Sequence, residues 1–168
     1  MKKTIESITL SLLLGGSGFA AEMLYVGGYD GNTAKHTILK IGPNGQASTV
    51  LSNLPTADAV ALACDQNGNL FFSNYGSNSV TKLTPSGISS VFAITGLSGP
   101  NSMAFDHVGN LYVGNEIGET VVRLDTNGVP TTVFSGRGRP VGVAVAPDGT
   151  VYIATDSTRT NACKKFIG

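Results

Sequence analysis

Two glycine turns that recur along the chain constrain its fold more than any other sequence feature. The glycines of one set lie 41 and 40 residues apart, and those of the other set lie 42 and 41 residues apart: Gly68, Gly109 and Gly149, then Gly45, Gly87 and Gly128. Asn-Gly and Asp-Gly turns between apolar runs are strong hairpin signals, because such turns need a backbone with positive φ. Each period is therefore expected to contain two tight hairpin turns.

The residues between these turns predict four short strands in each period. In the second repeat the strands cover residues 59–64, 70–74, 80–84 and 89–93. Four strands in a period near 40 residues indicate an all-β fold, a β-propeller of four-stranded blades whose first strands lie nearest the axis. Small residues recur in the first strand at Ala63, Ala104 and Ala144, which fits crowding between blades. The second strand is apolar on both faces, as expected if a neighbouring blade covers each side.

The repeats also carry a motif with a family resemblance. Residues 65–70 and 106–111 follow the pattern D-x-x-G-N-L, and third strands end in a basic and an apolar residue, as in Lys82-Leu83 and Arg123-Leu124. The pattern resembles NHL-repeat β-propellers and is similar to the related senescence-marker/gluconolactonase and streptogramin-lyase propellers. This resemblance covers nearly everything after residue 23. WD and kelch propellers fit less well, because their repeats rely on Trp and this chain has none.

The repeats divide residues 22–168 into four units, 22–55, 56–96, 97–137 and 138–168. Three strands are expected in the first unit, four in each of the next two and three in the last, which makes about three and a half blades. Propellers close with about four to eight blades. The ring is therefore expected to be incomplete, and three explanations stay open: part of a six- or seven-bladed protein, a homo-oligomer that completes the ring, or a degraded gene.

The N-terminal residues have the order of a secretory signal peptide. Two lysines precede a short apolar stretch at residues 8–14, and small residues follow it. This order predicts that residues 1–21 are removed by a cut after Ala20 or Ala21, and that the protein is secreted or periplasmic. A short core or membrane helix is the alternative, but neither this stretch nor any other is long enough to span a bilayer.

The overall charge excludes one class of partner. The chain has 11 basic and 11 acidic residues, so its formal charge is zero, and it has no long basic run. Nucleic-acid binding needs a surface that neutralises phosphates, and the sequence does not offer one.

The two cysteines are expected to be free thiols. Cys64 and Cys163 fall in different repeats. Cys64 also shares an apolar column with Phe105 and Val145, which indicates a small buried side chain.

The connections between strands sort into two classes on opposite faces of the propeller. The glycine turns form one face, which we call the turn face. Longer polar links form the other, the loop face, and they include residues 75–78, 95–100, 115–119 and 135–140. Binding sites are usually built from loops on a rigid scaffold, so a site is expected on the loop face near the axis. The candidate ligand-binding residues are Asp30, Asp58, Asn74, Asn115, Glu116, Arg139 and Asp156. For Asn74 and Asn115, a role in forming the turns is the alternative.

Asn101 carries a second, metal-binding interpretation. In gluconolactonase-type propellers a Pro-Asn-Gly segment supplies a metal ligand, and Pro100-Asn101-Ser102 resembles that segment. The resemblance therefore implies Asn101 as a ligand of Ca²⁺ or a similar divalent cation. The equivalent residues of the adjacent repeats, Val60 and Val141, cannot bind a cation, and Ca²⁺ takes about six or more oxygen ligands. The competing interpretation is that Asn101 satisfies backbone groups at a strand entrance, and the sequence establishes no cofactor.

These residues favour binding over catalysis. His36 lies at a strand edge and His107 in a glycine turn, and neither has a nucleophile at an informative spacing. We therefore expect an exported β-propeller that acts as a binding or interaction module for a protein or small-molecule ligand. Two alternatives stay open: a metal-dependent, gluconolactonase-like hydrolase that uses Asn101, and a truncated remnant without function.

Overall fold

The computed structural model describes residues 5–12, 24–30, 35–54, 58–136, 138–156 and 162–166. Within these ranges every regular element is a β-strand, and the strands form four antiparallel sheets. Each sheet consists of strands that follow one another along the chain, so each sheet is one blade. Among the described residues there is no helix long and apolar enough to cross a membrane. The predicted all-β propeller of four-stranded blades is confirmed.

The strands of each blade follow chain order from the inner to the outer edge, and the inner strands of successive blades contact each other. Blade 1 contains β1 (Ile5–Leu12), β2 (Leu24–Asp30), β3 (Lys35–Ile41) and β4 (Ala47–Leu54). Blade 2 contains β5 (Asp58–Cys64), β6 (Leu70–Asn74), β7 (Ser79–Leu83) and β8 (Ser89–Ala93). Blade 3 contains β9 (Pro100–Phe105), β10 (Leu111–Asn115), β11 (Thr120–Leu124) and β12 (Pro130–Ser135). Blade 4 contains β13 (Arg139–Val145), β14 (Val151–Asp156) and β15 (Ala162–Phe166).

Blade 1 contains one strand from outside the predicted repeat unit 22–55. Its inner strand is β1, which pairs with β2 from Ile5 opposite Asp30 to Leu12 opposite Leu24. The three strands that the sequence predicts within residues 22–55 are present as β2, β3 and β4, and β1 adds a fourth strand from the stretch that also fits a signal peptide. A short apolar run does not by itself distinguish a strand from another buried segment. The described residues therefore form three four-stranded blades and one three-stranded blade.

The repeat is preserved in the register of the strands. The strands of blade 2 lie within one residue of the predicted ranges. The alanines Ala63, Ala104 and Ala144 occupy equivalent positions, opposite Phe71, Tyr112 and Tyr152 respectively. All residues of β6 and β10 are buried. Each face of these second strands is therefore covered by a neighbouring blade, as their apolar pattern predicts.

Aspartates fix the glycine turns that separate the first and second strands of a blade. Asp106 accepts hydrogen bonds from the backbone N–H groups of Val108 and Asn110, and the Asn110 amide donates to its second oxygen. Gly109 has a φ of 94°, a conformation that favours glycine. The same arrangement is present in blade 2 at Asp65, Gly68 and Asn69. These contacts explain the D-x-x-G-N motif, because each of its three fixed residues helps to form the turn.

Apolar clusters fill the space between successive blades. The buried members between blades 1 and 2 include Ile38, Leu70 and Phe72. Those between blades 2 and 3 include Phe71, Val80, Leu111, Val113 and Leu124. Those between blades 3 and 4 include Val121, Val151 and Ile153. The blades are therefore held face to face by burial of apolar surface.

Blade 4 has one uncovered face in the described part of the chain. On β14, Val151 and Ile153 are buried against blade 3, whereas Tyr152 between them is 40% exposed. Val141 on β13 is 44% exposed. Successive residues of a strand point to opposite faces, so Tyr152 lies on the face of blade 4 away from blade 3.

Candidate functional site

Four of the candidate residues meet on the loop face, where blades 3 and 4 adjoin. Asn101 is on β9, Glu116 begins the turn after β10, Arg139 begins β13 and Asp156 ends β14. The strand register puts all four at the same end of their blades. We call Asn101, Glu116, Arg139 and Asp156 the loop-face cluster.

Arg139 is the centre of the loop-face cluster. Its Nη1 donates to Glu116 Oε1 at 3.0 Å, and its Nη2 donates to Asp156 Oδ2 at 2.7 Å. The other oxygen of Glu116, Oε2, accepts from the Asn101 side-chain amide at 3.0 Å. One guanidinium therefore joins carboxylates from two blades through charge-assisted hydrogen bonds.

The loop-face cluster is open to solvent. The side chains of Arg139 and Asp156 are 52% and 47% exposed, and that of Glu116 is 20% exposed. Exposed ion pairs contribute about 1 kcal/mol or less to stability. Two carboxylates and one guanidinium also leave the cluster with a formal charge of −1. The ion pairs of the cluster therefore contribute little to the stability of the fold.

Backbone contacts hold Glu116 in position. Its N–H donates to the Gly99 carbonyl at 2.8 Å, and the Gly118 N–H donates to the Ser98 carbonyl at 3.2 Å. The link between blades 2 and 3 therefore lies across the turn that Glu116 begins. Gly99 has a φ of 63°, and a Cβ at this position would overlap the Ile117 side chain. Only glycine allows this close approach without strain, and the approach fixes the start of the turn.

Strand pairing holds the other members of the cluster. Arg139 and Asp156 are opposite each other in the register of β13 and β14. Opposite charges at directly paired positions attract each other across a sheet. Asn101 follows the buried Pro100, which is paired with Asn115 in the register of β9 and β10. Arg139, Asp156 and Glu116 therefore take their positions from a strand pair and a tight turn, and Asn101 lies at the register shift between Pro100 and Ser102.

Asn115 and Asn74 lie inside the fold, where their side chains hold the turns. Asn115 is 1% exposed, and its amide donates to the Gly96 carbonyl and to Thr120 Oγ1. Asn74 is also buried and donates to two hydroxyls of the following strand. The turn-forming alternative therefore describes both residues, and neither belongs to the loop-face cluster.

Asp30 and Asp58 are described by their backbones alone. Asp30 ends β2, where it is paired with Lys35, and Asp58 begins β5, where it is paired with Asn74. Both positions are at the loop-face end of their blades. Their side chains lie outside the described residues, as does that of Cys163.

The residues around Asn101 do not fit a divalent cation. The Asn101 amide donates to Glu116, and both carboxylates of the loop-face cluster already accept from Arg139. A guanidinium between the two carboxylates disfavours a further positive charge at the same place. Among the residues that the structure describes, no three His, Cys, Asp or Glu side chains are grouped so that they could hold a metal ion.

The turn face carries a cavity that the sequence does not predict. It has a volume of about 260 Å³, lies between blades 2 and 3, and is lined by Phe71, Lys82, Phe92 and Phe105 among others. It is thus on the face opposite the loop-face cluster. The sequence shows phenylalanine at these three repeat positions, but only the packing of blade 2 against blade 3 brings the three rings together.

The fold is similar to those of solved β-propellers. The match with regucalcin from Agrobacterium tumefaciens, described as a calcium-binding protein, has a TM-score of 0.67 at 16% identity and covers 79% of this chain and 49% of that one. The match with virginiamycin B lyase from Staphylococcus aureus has a TM-score of 0.63 at 18% identity and covers 93% and 54%. The match with a luciferin-regenerating enzyme has a TM-score of 0.70 at 16% identity and covers 88% and 54%.

These similarities establish the β-propeller fold and nothing finer. The chain spans about half the length of each of these structures. No protein-family model matches the sequence, and no curated protein matches it significantly.

Proposed function

We propose that the protein is an exported β-propeller of the NHL-repeat type whose loop-face cluster binds a small hydroxylated ligand, either neutral or positively charged. The observation that carries the proposal is the bridge that Arg139 makes between Glu116 and Asp156. Support for the NHL type comes from the D-x-x-G-N-L motif, and support for export comes from the order of the N-terminal residues.

The chemistry of the loop-face cluster favours hydroxyl groups. Its carboxylates accept hydrogen bonds, and its guanidinium donates them. A hydroxyl group can donate to the former and accept from the latter, so a ligand with several adjacent hydroxyls matches both kinds of partner. The formal charge of −1 favours a positively charged ligand over a negatively charged one.

The hydrolase alternative has less support from the geometry. A metal-dependent lactonase needs carboxylates beside Asn101 that face a cation, whereas Glu116 and Asp156 both face the Arg139 guanidinium. Each carboxylate of the cluster also accepts a hydrogen bond from Arg139, so at least one oxygen of each is already occupied.

Glucosamine, glucose and gluconate form a suitable set of test ligands, because they are similar in size and hydroxyl content but differ in charge. Each is titrated into isotopically labelled full-length protein while the NMR signals of the Asn101 amide and the Arg139 guanidinium are followed. We expect the affinity to fall in the order glucosamine, glucose, gluconate. If none of the three ligands at about 10 mM changes the NMR chemical shifts of either group, the proposal is contradicted.

Two variants of one turn provide the matched comparison. Glu116→Gln removes a charge of the loop-face cluster, whereas Glu119→Gln removes the charge of an exposed residue three positions further along the same turn. Glu116→Gln is expected to weaken glucosamine binding about fivefold or more, and Glu119→Gln to leave it unchanged. Equal effects of the two variants would count against the cluster. Lactone hydrolysis that requires Ca²⁺ and is lost in Asn101→Ala would favour the hydrolase instead.

A further inference from the structure

The cavity on the turn face, here called the turn-face cavity, lies between glycine turns of blades 2 and 3. Its rim carries Asp65 and Gln66 from one blade and His107 from the next, and phenylalanines lie deeper. The Gln66 side-chain amide donates to the His107 carbonyl at 3.0 Å and so joins the two turns directly. Because Asp65 also holds its own turn rigid, the rim is preformed.

Three phenyl rings form the apolar wall of the turn-face cavity. The Phe71 ring centroid is 4.9 Å from that of Phe92 and 5.0 Å from that of Phe105, with interplanar angles of 85° and 72°. Edge-to-face contacts of this kind hold aromatic side chains in defined orientations. Phe71 and Phe92 belong to blade 2 and Phe105 to blade 3, so the wall forms only when the two blades pack together.

This aromatic wall is specific to one blade interface. The register puts Tyr25, Val50 and Cys64 at the equivalent positions of blades 1 and 2, and Tyr112, Val133 and Val145 at those of blades 3 and 4. Both equivalent sets also pack at their interfaces. Packing of the blades is therefore achieved elsewhere without three phenylalanines, so blade packing alone does not explain them.

Lys82 contributes a positive charge to the turn-face cavity, and Asp65 on the rim contributes a negative one. The Lys82 Nζ lies 5.6 Å from the Phe71 ring centroid, over the ring face. Among the described residues, the salt bridges do not include Lys82. The nearby Asp65 accepts hydrogen bonds from two backbone N–H groups and from the Asn69 amide, so both of its oxygens are already used. Among the lining residues, the Lys82 ammonium is therefore able to pair with an anionic ligand.

We propose that the turn-face cavity binds a small molecule with one flat apolar ring and a carboxylate, the ring against Phe92 and Phe105 and the carboxylate beside Lys82. A volume of about 260 Å³ suits a ligand with a single ring, since it is slightly below the range of typical drug-sized pockets. The Lys82 ammonium lies over an aromatic face, which lowers the local dielectric constant. The attraction between this ammonium and a ligand carboxylate is therefore stronger than it would be in water. The site is independent of the loop-face cluster, because it lies at the opposite end of the blades.

Phenylacetate, phenylacetamide and acetate test the two parts of this site separately. Phenylacetamide keeps the ring without the charge, and acetate keeps the charge without the ring. Calorimetric or NMR titration of the full chain is expected to show phenylacetate binding at least about tenfold more tightly than either of the others. Equal affinity for phenylacetate and phenylacetamide, or no binding of phenylacetate at about 10 mM, would overturn the proposal.

Lys82→Met and Lys40→Met form a matched pair, because Lys40 occupies the equivalent position in blade 1. Lys82→Met is expected to weaken phenylacetate binding about tenfold while phenylacetamide binding stays the same, and Lys40→Met is expected to change neither. Phe92→Val, which introduces the residue found at this position in blades 1 and 3, is expected to weaken both ring-bearing ligands. An equal effect of both lysine variants, or no effect of Phe92→Val in a protein that retains its fold, would contradict the assignment.

Discussion

Cys64 shows how one side chain in the repeat responds to its surroundings. It ends β5, is a free cysteine, and packs against the apolar cluster between blades 1 and 2. Burial raises the pKa of the Cys64 thiol to about 12, and the negative charge of Asp65 adds to this effect. Both causes disfavour the thiolate, which is the reactive form of cysteine.

The Cys64 thiol is therefore expected to be unreactive in the folded protein. In a Cys163→Ser variant at pH 8, alkylation by iodoacetamide should be at least about 100-fold slower in buffer than in denaturant, where the pKa returns to about 8.5. Because the unfolded chain ionises first, the folded state should lose stability as the pH rises from about 8.5 towards 12. Equal alkylation rates in the two conditions would show that the thiol is not buried in this way.

At the level of single residues, the sequence predicts which side chains are polar and on the loop face but not which of them meet. Glu116, Arg139 and Asp156 are candidates from their positions in the links, and their shared hydrogen bonds depend on how blade 4 packs beside blade 3. Asn115 fits both a ligand and a turn former in the sequence, and its complete burial favours the turn. Contacts between residues of different blades come from packing, which a local pattern does not contain.

At the level of elements, the glycine turns and the strands of blade 2 are well predicted because their signals are local. The Asp of each D-x-x-G-N motif bonds to residues two and four positions later, so the motif and the turn are the same few residues. The apolar stretch that contains β1 lacks such a signal, and it fits both a signal peptide and a strand.

The residues of β1 fit both a signal peptide and a strand, and the two interpretations predict different N-terminal residues for an exported protein. A cut after Ala20 or Ala21 would remove Ile5–Leu12 and with it the pairing of β1 with β2. In a bacterial host we expect the exported protein to begin at Ala21 or Glu22 by intact-mass measurement. We also expect it to unfold at a lower urea concentration than the full chain, because one strand pairing is lost.

Charge reversal provides the control for export. Lys2→Glu combined with Lys3→Glu removes the basic start of the predicted signal and should keep the protein inside the cell. Recovery of an exported protein that still begins at Met1 would contradict the predicted signal peptide.

At the level of the whole molecule, the period and the number of strands in each repeat predict the propeller. The same pattern predicts that neighbouring blades cover both faces of the second strands, as is seen for β6 and β10. The turn-face cavity could not be predicted, because it arises from three phenylalanines on different strands of two blades. Its position depends on the distance and angle between blades, which are set by the sum of many apolar contacts.

The central claim is that successive repeats pack face to face as blades, and the contact between Phe71 and Phe105 tests it most directly. These rings lie 34 positions apart in the sequence and have centroids 5.0 Å apart across the interface of blades 2 and 3. Phe71 and Phe92, 4.9 Å apart within blade 2, provide an internal reference. In full-length protein with labelled phenylalanine, we expect NMR cross-relaxation between the Phe71 and Phe105 ring protons as strong as that between Phe71 and Phe92. A clear Phe71–Phe92 signal without a Phe71–Phe105 signal would show that the blades fold but do not pack as described.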